Sequence, residues 1–260
     1  MKTIMSLGYD GTYEGFLTCV FQTFEQNLEV HTITLENLMQ ASMFGKNEVV
    51  ITDLEKANRV QNALKKRIAA SGTRQLYWVF LSEKEGIEMD LLSYIKLVFK
   101  DEKFSTKDFG NHIVLKINQI AKQVHREKHR MEAFVRFKLT HDEIFFATIE
   151  PDFNVLPIIL PHFEARYADQ KWIIYDLNRN FGIFYNLKET NFINLSFHKT
   201  FSIDRNNPSI YKASEIEFQK LWQEYFSSTN IKSRKNMKLH LQHVPKRYWK
   251  YLTEKSTWQN

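Results

Sequence analysis

The chain of 260 residues is 43% hydrophobic and 14% aromatic, which is enough for a buried core and excludes wholesale disorder. Its single cysteine excludes an internal disulfide and a four-cysteine zinc site. Lys and Arg number 36 against 30 Asp and Glu, so the net charge is +6. The sequence has no apolar run long enough for a membrane span and no signal-peptide pattern at its start. We therefore expect a cytoplasmic protein without membrane contacts.

The first 131 residues are predicted to be mainly helical. A short strand over residues 3–9 precedes Thr12, a suitable N-cap for a helix whose apolar residues recur at three- and four-residue spacing. After a short extended piece at residues 48–51, Asp53 is placed to cap a second helix that ends near Ala70. Three further helical patterns follow before residue 131.

The hydrophobic period changes from helical to alternating near residue 133. Alternation up to residue 139 and a β-branched run at 144–149 predict a hairpin that turns at His141 and Asp142. Further predictions are strands at 172–176 and 181–185, a helix between the two strand pairs, an edge strand at 192–197 and a helix at 215–226.

These elements predict the α+β class, with an antiparallel sheet in the second half that packs against helices from the N-terminal half and the C-terminus. We expect a single domain over residues 1–260. Its parts are a mainly helical region at 1–131, a β-rich region at 132–200 and a basic helical region at 211–255.

The positive charge is concentrated near the C-terminus. Residues 227–251, here called the basic stretch, hold seven Lys and Arg and no Asp or Glu, so the rest of the chain sums to −1. A second group of cations lies in residues 116–138, where only Glu127 and Glu132 are acidic. Concentrated charge of one sign attracts polyanions such as a nucleic-acid backbone. Two solvated helix faces are the alternative interpretation.

Residues 246–251 interleave cations with aromatic rings. This pattern suits a nucleic-acid surface, because cations neutralise phosphates and flat rings stack on exposed bases. Alternatively, Tyr248 and Trp249 anchor the chain end to the domain while the cations face water. The predicted nucleic-acid contacts are Arg130, Arg136, Arg234, Lys235, Lys238, Lys246, Arg247, Trp249 and Lys250.

Candidate catalytic groups lie near the predicted strand ends. Glu150 and Asp152 follow a strand, where carboxylates suit acid–base chemistry or magnesium binding, but turns use the same residues. Asp176, at another strand end, and His162 complete the candidate set, with a plain structural role for His162 as the alternative. Cys19 lies in an apolar helix, where a thiol is inert. We predict neither a metal site nor a cofactor.

Six blocks of sequence occur in this order: YDGTYEGFL at 9–17, HRMEAFVRF at 129–137, PHFEARY at 161–167, WIIYD at 172–176, SRKN at 233–236 and PKRYWK at 245–250. Together they resemble a bacterial family described as probable DNA metabolism proteins, a domain of unknown function. The resemblance covers residues 3–254, and the ordered series of blocks makes it specific where one block alone is not.

Members of that family accompany a radical S-adenosylmethionine protein of DNA modification or repair, and some are fused to a uracil-DNA glycosylase-like domain. The resemblance thus implies DNA and a radical enzyme as partners, and it assigns no catalytic residues. The chain lacks the Gly-Gln-Asp-Pro-Tyr-His loop of ordinary uracil-DNA glycosylases. One cysteine also cannot hold the three-thiolate cluster of a radical enzyme.

Three hypotheses for the function follow. The leading one is a nucleic-acid-binding accessory protein of a bacterial DNA modification or repair system. The second is a glycosylase-like enzyme that acts on a damaged or modified base with Glu150, Asp152 or Asp176, assisted by His162. The third is an interaction scaffold for the radical enzyme without DNA contact.

Overall fold

A computed structural model describes residues 4–39, 46–195, 211–212, 214–215, 217–219, 221 and 241–258. The chain divides into two compact units, Met1–His125 and Arg126–Asn260. Each unit contains helices and one sheet, which confirms the α+β class. The expected single domain over residues 1–260 stays a prediction.

The first unit contains a three-stranded parallel sheet of β1 (Ile4–Tyr9), β2 (Glu29–Leu35) and β3 (Lys46–Val49). Strand β1 is central and pairs with both neighbours. Helix α1 (Tyr13–Glu25) connects β1 to β2, and the Thr12 side chain caps it by accepting a hydrogen bond from the Gly15 N–H at 2.9 Å. The sequence patterns do not predict strand β2. The mainly helical prediction for residues 1–131 therefore lacks one edge strand of this sheet.

Three long helices complete the first unit and lead into the second: α2 (Leu54–Phe80), α3 (Ile87–Lys100) and α4 (His112–Phe134). Asp53 caps α2, as predicted, by accepting from the backbone N–H groups of Glu55 and Lys56. The predicted end of this helix near Ala70 is a kink at Ala69, where φ is 57° and ψ is 175°, and the helix continues beyond it.

Cys19 lies in the core of the first unit. Its side chain is buried in α1, and this burial raises the pKa of the thiol to about 12. A thiol that stays protonated is a poor nucleophile, as the sequence predicts.

The second unit contains a five-stranded sheet in the order β4-β5-β6-β7-β8. Its strands are β4 (Lys138–Leu139), β5 (Phe145–Ile149), β6 (Trp172–Asp176), β7 (Phe181–Tyr185) and β8 (Thr190–Ile193). Helix α5 (Leu156–Arg166) connects β5 to β6, and these two strands are parallel. The prediction of a purely antiparallel sheet is therefore wrong at this pair, because a helical crossover returns the chain in the same direction.

The remaining predictions for the second unit are largely confirmed. Strands β4 and β5 form the hairpin expected at His141 and Asp142, and β6 and β7 form the second antiparallel pair. The predicted edge strand lies slightly earlier, as β8. In the predicted C-terminal helical region, the described residues 214–215, 217–219, 221 and 241–243 are helical, and the rest of the predicted helix at 215–226 lies outside the described residues. Two 3-10 segments follow, Lys246–Tyr251 and Thr253–Trp258. Within the described ranges, no helix is long and apolar enough to cross a membrane.

Candidate functional site

The parallel pair β5 and β6 places three predicted catalytic acids at one sheet edge. Ile149 pairs with Asp176 in register, so Glu150 and Asp152 follow the end of β5 beside the end of β6. Helix α5 begins at this edge and runs away from it, and His162 lies about 9 Å along its axis. His162 forms no hydrogen bond or ion pair with the three acids, all of which the structure describes. The structure therefore brings the acids together without His162.

Asp176 is buried and hydrogen-bonded to groups of the β6–β7 turn. It is completely buried, and it accepts hydrogen bonds from the Asn178 N–H at 2.9 Å and from the Arg179 guanidinium at 3.0 Å. The same guanidinium donates to the Pro151 carbonyl at 3.2 Å, which joins the β6–β7 turn to the segment after β5. Burial raises the pKa of Asp176, although Arg179 opposes the shift. These contacts give Asp176 a structural role at the β6–β7 turn, and its catalytic role stays a prediction.

A cluster of charged and phenolic side chains lies where the C-terminal segment contacts the end of α4 and the sheet edge. This C-terminal cluster consists of Glu127, Glu150, Asp152, Arg247, Tyr248, Lys250 and Tyr251. At its centre, the Glu127 side chain is 1% exposed. The Glu127 carboxylate accepts from the Asp152 backbone N–H at 3.0 Å and from the Arg247 guanidinium at 3.1 Å. The Tyr248 hydroxyl donates to the same carboxylate.

Two further ion pairs of the C-terminal cluster remain partly in water. Arg247 also pairs with Asp152, and their side chains are 42% and 46% exposed. Lys250 pairs with Glu150, at 45% and 27% exposed, and the Tyr251 hydroxyl donates to the same carboxylate. Burial alone lowers the pKa of Arg247, but Tyr248 and the neighbouring carboxylates outweigh it and raise that pKa. The Arg247 guanidinium thus stays charged.

The sequence patterns do not single out Glu127, the buried centre of the C-terminal cluster. By charge it is one of two acids in a basic segment, whereas in the structure it lies in the apolar row of α4 formed by Ile120, Val124 and Met131. Its spacing of three from Val124 and four from Met131 places it on the buried face. An acid on that face needs cationic partners, which Arg247 and Arg130 supply at 3.1 Å and 3.4 Å.

The other predicted nucleic-acid contacts differ in their burial and in their bonding partners. Arg136 pairs with Glu254 at 2.8 Å, and Arg130 pairs with Glu127. Trp249 is only 6% exposed and donates its indole N–H to the Val244 carbonyl at 3.0 Å, which favours the anchoring interpretation over base stacking. Lys246 is exposed and makes no side-chain hydrogen bond or ion pair with any residue that the structure describes. Arg234, Lys235 and Lys238 lie outside the described residues.

Acids from earlier in the chain thus pair with most of the described cations of the basic stretch. Glu127, Glu150 and Asp152 hold Arg247 and Lys250, and these contacts attach the C-terminal segment to the sheet edge. These two cations therefore make structural contacts, and their contacts with nucleic acid stay a prediction.

A family described as a domain of unknown function, DUF4130, matches residues 85–254. The chain belongs to this family. The DUF4130 match includes α3, α4, the whole described sheet of the second unit and the entire C-terminal cluster, and it begins after the three-stranded sheet of the first unit. No curated protein matches the chain.

Proposed function

We propose that this DUF4130 protein binds nucleic acid as an accessory of a bacterial DNA modification or repair system, together with a radical S-adenosylmethionine enzyme. The observation that supports this function is the basic stretch, in which seven Lys and Arg occur without a single Asp or Glu. A polyanion is the natural partner of such a segment, because binding releases the counterions condensed on its phosphates.

The described cations of the basic stretch differ in how readily they can contact a phosphate. Lys246 is exposed and unpaired among the described residues, so it contacts a phosphate without breaking another bond. Lys250 is in a half-exposed ion pair, and such pairs contribute only about 0–1 kcal/mol, so a phosphate can replace Glu150 at little cost. Arg247 is different, because its departure leaves the buried Glu127 with Arg130, at 3.4 Å, as its remaining described cationic partner. We assign Arg247 a positioning role.

Fluorescence anisotropy with labelled single- and double-stranded DNA tests this function. The informative variant is Arg234→Gln/Lys235→Gln/Lys238→Gln, which removes three charges from the basic stretch. Its matched control is Lys65→Gln/Lys66→Gln/Lys188→Gln, which removes three charges from exposed lysines elsewhere.

We expect the wild type to bind and the basic-stretch variant to lose affinity and salt dependence, with a slope change of up to about 0.9 per lost phosphate contact on duplex DNA. The control variant should keep the affinity and the salt dependence of the wild type. Absence of wild-type binding, or an equal loss in both variants, overturns the proposal.

A glycosylase-like enzyme is the second candidate function. The observation that favours it is the parallel pair of β5 and β6, which places Glu150 and Asp152 at one partly exposed edge. Release of free base from oligonucleotides with uracil or alkylated bases is the assay. The enzyme hypothesis expects Glu150→Gln to slow this release by about 100-fold or more. Wild-type protein that releases no base from these oligonucleotides rejects it.

The proposed radical-enzyme partner has its own test. Co-purification of the two proteins that survives nuclease treatment and high salt supports a direct contact. A complex that forms although the protein binds no DNA identifies a scaffold, and a complex that nuclease dissolves shows that DNA alone connects the two proteins.

A further inference from the structure

An open groove in the first unit has the features of a second contact site. It lies between the end of α1, the start of β2 and the last turns of α3. Its volume is about 610 Å³, within the range of small-ligand sites. The residues that matter for its chemistry are Phe24, Leu28, Glu29, Lys96, Phe99 and Lys100.

One wall of the groove is aromatic. Phe24 is 44% exposed, which is unusual for a residue with so large an apolar side chain. Phe99 meets it nearly at right angles, with ring centroids 5.5 Å apart and an interplanar angle of 86°. In such an edge-to-face pair, one ring covers at most one face of the other. Phe24 therefore keeps a ring face that Phe99 does not cover.

The groove also carries two cations that have no counter-ion among the described residues. Lys96 and Lys100 are four residues apart on α3, so their side chains are neighbours on one helix face. Both are exposed, and neither has a side-chain hydrogen bond or ion pair with any residue in the described ranges. Glu29 is the acid in the groove lining and forms no ion pair with either lysine. An excess of positive charge thus lies beside the exposed ring.

We infer that this groove binds an exposed base of single-stranded nucleic acid, with the base stacked on Phe24 and the flanking phosphates at Lys96 and Lys100. This inference rests on the proposed function and adds a preference for single strands. An exposed ring and nearby cations are the two elements of sequence-independent single-strand binding. Paired bases are stacked inside a duplex and do not reach the Phe24 ring.

Two pairs of variants test the groove by anisotropy with a labelled oligothymidine and a duplex of the same length. Phe24→Leu removes the ring but keeps an apolar side chain, and Phe109→Leu, at 49% exposed, is its control. Lys96→Gln/Lys100→Gln removes the two cations, and Lys65→Gln/Lys66→Gln removes two exposed charges elsewhere in the same unit. Circular dichroism confirms that each variant is folded.

We expect Phe24→Leu to weaken oligothymidine binding by about 5-fold or more, because stacking contributes about 1–3 kcal/mol per base. Duplex affinity changes little. Lys96→Gln/Lys100→Gln lowers the single-strand salt slope by about 1.4, from two phosphate contacts. Glu29→Gln tightens binding, because it removes the acid in the groove.

The outcomes separate the two proposals. If the wild type binds DNA and the groove variants match their controls, the groove is not a binding site, and the proposed function is unaffected. A wild type that binds no DNA overturns both. Equal losses for single strands and duplex also contradict the groove, because they show a general charge effect.

Discussion

Glu127 determines how the C-terminal segment attaches to the second unit. Its buried carboxylate accepts hydrogen bonds from Arg247, Arg130, Tyr248 and the Asp152 backbone N–H. A glutamine at this position keeps one acceptor oxygen, but it replaces the other with an NH2 donor and removes the negative charge that pairs with the two arginines. We expect Glu127→Gln to lower the free energy of unfolding by about 2 kcal/mol or more, measured by urea denaturation.

Glu143→Gln is the matched control, because Glu143 is a 78% exposed acid paired with Lys212. Exposed pairs stabilise proteins little, so its denaturation midpoint should stay close to that of the wild type. If Glu127→Gln is as stable as Glu143→Gln, Glu127 does not hold the C-terminal segment.

Asp10 provides a pH-dependent test in the first unit. Partial burial opposes its ionisation, but hydrogen bonds from Thr12 and Thr52 outweigh this and lower its pKa below the ordinary 3.8. A lowered folded-state pKa contributes stability above the unfolded value and loses it as the pH falls through the folded value.

Asp10→Asn should therefore be less stable than the wild type at about pH 7, and the difference should shrink towards about pH 3. Urea midpoints across this range measure it, with the exposed Asp142→Asn as control. A difference that is constant with pH contradicts the assignment of Asp10 as an ionised hydrogen-bond acceptor.

At the scale of elements, the kink in α2 lies at a single residue, Ala69, whose backbone strain a substitution can test. Ala69 has φ 57° and ψ 175°, a conformation that is essentially confined to glycine. We expect Ala69→Gly to stabilise the protein by about 1 kcal/mol, because relief of strain exceeds the added chain entropy of glycine.

Ala70→Gly, at the exposed helical neighbour, should instead destabilise by about 1 kcal/mol. Thermal unfolding of the two variants beside the wild type measures both effects. If the two substitutions shift stability in the same direction, Ala69 is not strained.

The elements also show what sequence reasoning can recover. Caps at Thr12 and Asp53 are local interactions, and the periodicity of the helices and hairpins is local as well, so both were predicted correctly. Strand β2 and the parallel pairing of β5 with β6 depend on partners distant in sequence, which composition and period do not reveal. The sequence predicts individual residues of the candidate site but not their contacts, because these contacts join residues distant in sequence. Glu127 and Arg247, for example, are 120 residues apart.

At the scale of the whole molecule, charge has two roles. Acids of the second unit neutralise Arg247 and Lys250 and fix the C-terminal segment, while Lys246 and the groove lysines Lys96 and Lys100 stay unpaired among the described residues. The net charge of +6 does not show how many cations are available to a partner, because some of them are already paired with acids of the same chain. We expect fewer phosphate contacts than the seven cations of the basic stretch suggest.

The salt dependence of wild-type DNA binding tests the central claim most directly. Anisotropy titrations of a labelled oligothymidine from about 50 to about 200 mM salt give the slope of log affinity against log salt. Nucleic-acid binding through three or more phosphate contacts predicts a slope of about −2 or steeper, from about −0.7 per contact. Undetectable binding at the lowest salt, or an affinity that does not change across the range, contradicts it.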